Sequence, residues 1–212
     1  MLQNLINMNR ELTFVVLSLS FITVISTIIG CTDQEKEKTA IIKDNAELKK
    51  MVEKDQEMRQ NDTLDMEPVD KVHRLKVMNL IASGQIRTNN DKLNAALILQ
   101  HTALKFCNGS LVSISPENYY LAYELAKAVF DSGYKKSADM VAATYDRYLL
   151  YTEGYQKFGT QRVFDEKTNE EIWAPIDSAT TDAEREKYGI KPLKELLKEH
   201  KMKAFPSVKS EK

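Results

Sequence analysis

YDRYLLYTEGYQKFGTQRVFDEKTNEEIWAPI, Tyr145 to Ile176, is the stretch that decides the fold. Up to about Thr152 it continues a helix that starts near Ser137. Ala138, Val141, Ala142, Tyr145, Tyr148 and Leu149 recur at helical spacing. From Gln161 the period changes. Gln161–Asp165 and Glu171–Pro175 read as two short strands around a Lys167-Thr168-Asn169 turn, a β-hairpin appended to helices. Between helix and hairpin, Gln156, Thr160 and Gln161 crowd around Gly154 and Gly159. Such residues make good hydrogen bonds and poor cores, so the segment reads as a built polar site.

On the N-terminal side of this stretch, four more helices are expected. They cover about Ile41–Gln60, Pro68–Ser83, Asp91–Cys107 with Asn90 or Asp91 as cap, and a helix begun by Ser115-Pro116 and ended by Gly133. On the C-terminal side, Thr181 and Glu184 have capping-box spacing, Gly189 is a stop, and Pro192 opens a last short helix. Short connections make such helices antiparallel neighbours. The expected fold class is mainly α: an antiparallel helical bundle or array of about five to six helices, with a small hairpin around 161–175 near the C-terminus.

The 212 residues suit one domain plus appendages, and 42% hydrophobic with 29% charged residues is ordinary for a globular protein. A net charge of −1 gives no argument for nucleic acid, and none is expected as a partner. The N-terminus is different. Leu12–Ile29 carries no charge and runs into Gly30-Cys31. This resembles a bacterial lipoprotein signal, an apolar segment with a small residue before a Cys. It implies a signal peptide over 1–30 and lipidation of Cys31 by a diacylglycerol thioether and an acyl chain such as palmitate. That would give a membrane-anchored protein of the cell envelope facing the periplasm or exterior, since more than one chain makes anchoring stable. The alternative is an uncleaved transmembrane helix, for which the run is long enough. Met8 is a second possible start. Residues 31–40 are charged and read as a flexible tether, 41–203 as the helical domain, and 204–212 as a disordered tail. With Cys31 lipidated, Cys107 has no bridge partner and reads as a small buried residue at a helix end.

Four polar clusters interrupt apolar patterns: Asp55-Gln56 with Arg59, Gln100-His101, Asp146-Arg147, and Gln156 with Thr160-Gln161. A buried charge needs a partner, so Arg59 and Arg147 are the expected forks for Asp55 and Asp146. The four clusters either converge on one pocket or form a network that only fixes helix packing. His73, His101 and His200 lack metal-ligand spacing, and no phosphate loop, nucleophile elbow or HExxH is present. No metal and no cofactor are expected.

DQEMR at Asp55–Arg59, LQH at Leu99–His101, YDRY at Tyr145–Tyr148 and YQKFGTQ at Tyr155–Gln161 resemble the pattern of a bacterial domain family of unknown function. The resemblance spans about Leu48–Leu197. That pattern has Tyr where this chain has Phe158, and Gly and Trp where this chain reads GQIRTNNDKLN. It implies that the four clusters belong to one domain type and supplies no activity. The functional expectation is therefore a lipid-anchored envelope protein whose pocket binds a small polar ligand or an envelope protein. The alternative is a hydrolase using His101 as general acid/base with Asp55 or Asp146. His101→Ala and Gln161→Ala are expected to leave the fold intact.

Overall fold

The computed structural model describes residues 42–60, 65–102, 104–107, 110–165, 167–200 and 204–205. The apolar run Leu12–Ile29, Cys31 and the whole of the tether lie outside them. No described helix is long and apolar enough to cross a membrane. The fold is mainly α. The helices are α1 (Ala46–Arg59), α2 (Glu67–Ala82), α3 (Asn89–His101), α4 (Glu117–Asp131), α5 (Ala138–Glu153), α6 (Asp182–Glu186) and α7 (Leu193–His200). Two antiparallel pairs, β1 (Leu104–Cys107) with β2 (Ser110–Ser113) and β3 (Arg162–Asp165) with β4 (Glu170–Trp173), are inserted between them. A short parallel pair joins β5 (Ile176–Asp177) to β6 (Ala204–Phe205).

Local signals explain most boundaries. Asn45 caps α1, its side chain accepting from the Leu48 N–H at 3.0 Å. Its own N–H donates to Asp91 Oδ1 at 2.7 Å, which ties the start of α1 to the start of α3. Thr88, not Asn90 or Asp91, caps α3; Asp91 supplies the returning half of the capping box. α5 ends at Gly154, whose φ of 78° is the left-handed conformation that glycine adopts without strain.

The core is built from α1 to α5. Leu48, Val77, Ile98, Leu99, Ala122, Ala126, Val141 and Ala142 are fully buried. Each large aliphatic side chain there contributes roughly 1.5–3 kcal/mol, and the alanines let α3, α4 and α5 approach closely. An aromatic seam adds to this: Tyr123 meets Tyr145 at 4.6 Å, and Phe158 meets Tyr188 edge-on at 5.3 Å. Phe158 thus serves as packing between α5, the following loop and the segment after α6.

Two further expectations need correction. The helix placed over Asp91–Cys107 stops at His101. Leu104–Cys107 is a strand, and Cys107 is a partly buried strand residue. Lys105 and Phe106 separate Leu104 from Cys107, and a run that short fits either period, so the sequence did not distinguish strand from helix. Ala204 and Phe205, placed in the tail, pair with β5, and the Ser178 hydroxyl donates to the Phe205 carbonyl at 2.9 Å.

Candidate functional site

The ten polar residues separate into two linked halves. The first is a loop lock. Asp146 is fully buried on α5 and faces the loop after it. Its Oδ1 accepts from the Lys157 and Phe158 N–H groups at 2.7 and 2.9 Å. Its Oδ2 accepts from the Thr160 N–H at 3.0 Å and the Thr160 hydroxyl at 2.8 Å. Gly159, at φ 83°, supplies the turn that aims these groups inward. Burial raises the Asp146 carboxyl to about 6, with the four donors opposing. Asp146 therefore does not pair with Arg147, contrary to expectation; backbone donors do the work of the fork.

Gln156 is equally committed. Its Nε2 donates to the Gln161 and Ala174 carbonyls at 3.0 and 2.9 Å, and its Oε1 accepts from the Gln161 N–H at 2.7 Å. It fastens the loop to the hairpin exit. The Gln161 side chain donates to the Ala143 carbonyl at 3.1 Å and accepts from Arg147 Nε at 2.9 Å. These bonds give Asp146, Gln156, Thr160 and Gln161 a structural role, and Gln161→Ala is now expected to weaken the fold.

The second half is charged and sits at the C-terminal end of α3. Arg147 from α5 reaches the Gln100 carbonyl through Nη1, while Arg59 from α1 lies 3.5 Å from the His101 carbonyl. Two guanidinium groups thus meet adjacent carbonyls where the helix dipole favours cations. No carboxylate pairs with Arg147 among the described residues.

Asp55 organises this half. It is 1% exposed. Arg59 Nε donates to both of its oxygens at 3.1 Å, Gln56 Nε2 donates to Oδ2 at 3.0 Å, and His101 Nδ1 lies 2.9 Å from Oδ2. Burial alone would raise this carboxyl; the hydrogen bonds and charges of His101 and Arg59 outweigh it and hold Asp55 well below the usual carboxylate range. Burial pushes His101 below its ordinary value, with Asp55 opposing. An ionised Asp55 can only accept, so His101 Nδ1 is the donor.

Two further residues belong here. Asp70 on α2 accepts from Arg59 Nη2, and burial raises its carboxyl to about 6, Arg59 opposing. His73, one turn on, is 8% exposed, and its Nδ1 is a buried nitrogen with no hydrogen-bond partner. It stands 3.7 Å from Asp55 Oδ1. The available signal was spacing: Asp70 and His73 are three apart on a helix, so they share a face.

Two grooves flank the cluster. One, of about 720 Å³, runs between α1 and α2, and His73 lines it with Met51, Met58 and Val72. The other, of about 240 Å³, is lined by Asp70, Arg74, Leu104 and Ile114. Their walls are supplied by His73 and Asp70, not by the ten residues expected to line a pocket. No protein-family model, no curated protein and no solved structure matches this chain.

Proposed function

We propose that this chain is a lipid-anchored envelope protein, held through Cys31, whose helical domain binds a small polar ligand at the charged cluster around Asp55. The supporting observation is the bond between Asp55 and His101 at 2.9 Å, in a cluster that also holds Arg59, Asp70 and His73. A purely structural network satisfies its buried polar atoms; the loop lock does so, and the Asp55 cluster leaves His73 Nδ1 unsatisfied. The test is a thermal-shift screen of the full chain in detergent, with chelator present, against envelope metabolites, sugars and peptides. A ligand of the folded state raises the midpoint. The shift should be lost in His101→Ala and Arg59→Gln. A screen without a shift, or a shift indifferent to both variants, contradicts this reading.

The same bond favours a second reading, a hydrolase in which Asp55 orients His101 as general acid/base. No Ser or Cys nucleophile bonds His101 among the described residues, so water would be the attacking group. Turnover of ester, amide or glycosidic substrates that disappears in His101→Ala and Asp55→Asn would select it over binding.

A further inference from the structure

We infer that Asp55, Asp70 and His73 form a divalent transition-metal site, with Arg59 as the cation that competes for the same two carboxylates. The inference rests on the Asp55 cluster being a ligand site and names one ligand of it. One oxygen from each carboxylate and one imidazole nitrogen lie within 4.8 Å of one another, and all three residues are buried.

Three observations point to an ion rather than to carboxylates crowded by the fold. His73 Nδ1 is buried, unpartnered and directed at Asp55 Oδ1. The separation of 3.7 Å is too long for a hydrogen bond. It is close to the roughly 3.4 Å that separates two ligands lying about 2.1 Å from a tetrahedral ion. Second, two buried carboxylates share one guanidinium, the only Arg or Lys that pairs with either among the described residues. Third, Asp55 is oriented as metal-binding carboxylates are. His101 and Gln56 hold Oδ2, while Oδ1, which Arg59 occupies here, is the oxygen 3.7 Å from His73 Nδ1.

Imidazole with two carboxylates suits zinc, manganese or ferrous iron better than calcium or magnesium, which prefer all-oxygen shells. An ion has a path in, because His73 lines the groove between α1 and α2. Arg59 has a path out: its side chain is 25% exposed and can swing to solvent while the ion takes its place between the carboxylates.

The test uses the full chain in detergent, stripped with chelator and desalted, then titrated with zinc chloride by calorimetry and assayed for bound metal. One zinc per chain is expected. Binding should weaken at least about tenfold in His73→Gln and in Asp70→Asn, and tighten in Arg59→Gln, which removes the competitor. Circular dichroism checks folding of each variant; if His73→Gln does not fold, Asp70→Asn and Arg59→Gln decide. Absence of one-to-one zinc in both the wild type and Arg59→Gln overturns the assignment. So does unchanged affinity in folded His73→Gln or Asp70→Asn, which would place the ion elsewhere. The organic-ligand screen runs in chelator, so either result leaves that reading to be judged separately.

Discussion

Asp55 and His101, 46 positions apart, meet at 2.9 Å because α1 and α3 pack side by side with Asp55 facing the end of α3. The pairing converts an acidic break in one apolar stripe and an imidazole at a helix terminus into one charged centre. Arg59 then closes it from the same helix as Asp55, and Asp70 and His73 from a third.

Removing the organising carboxylate should be costly. In Asp55→Ala the His101 ring and the Gln56 amide lose their partner while Arg59 keeps Asp70, and about 1–3 kcal/mol of stability should go for each buried group left unpaired. Urea unfolding of wild type and variant checks this. A loss below about 1 kcal/mol would mean that the cluster is solvated.

The loop lock predicts a different signature. Gln156→Ala leaves the Gln161 N–H and the Ala174 carbonyl unpaired in a buried site, while the Gln161 carbonyl keeps the Ala174 N–H, at about 1–3 kcal/mol for each group that cannot be rehydrated. Limited proteolysis should then cut between Gly154 and Gln161, where the wild type resists.

Asp146 carries the pH dependence. Its carboxyl is raised from 3.8 to about 6, so the folded state holds the proton more tightly than the unfolded chain. Its contribution to stability therefore rises as pH falls from about 6 to about 4. Asp146→Asn lacks that contribution and also sets an amide N–H against donors. The penalty of the substitution should be larger at pH 5 than at pH 7, measured by denaturant midpoints at both. An equal or smaller penalty at pH 5 contradicts the assignment.

Anchoring is checked at the N-terminus. Cys31→Ser should leave the chain unprocessed or release it from the membrane fraction, read by fractionation and mass spectrometry. Normal maturation and anchoring of this variant would rule out lipidation.

The sequence made elements legible where local signals and periodicity agreed, as at the Gly133 stop, the Thr181 cap and the 162–173 hairpin. It misplaced the end of α3, because four residues cannot show their period. It named Asp55, Arg59 and His101 because polar residues in apolar stripes stand out. Asp70 and His73 were missed because they lie where α2 already looks polar, and only packing against α1 buries them. The joining of Asp146 to Arg147 failed for a related reason: sequence adjacency on a helix turns two side chains apart, and the backbone donors that bind Asp146 are invisible in residue types.

The most direct test of the Asp55 centre is a double-mutant cycle between Asp55 and His101, using Asp55→Asn and His101→Gln in chelator, with stability as the readout. A coupling of about 1–3 kcal/mol is expected for side chains in one buried network. Additive effects within about 0.3 kcal/mol would show that the two side chains do not interact, and would contradict the account.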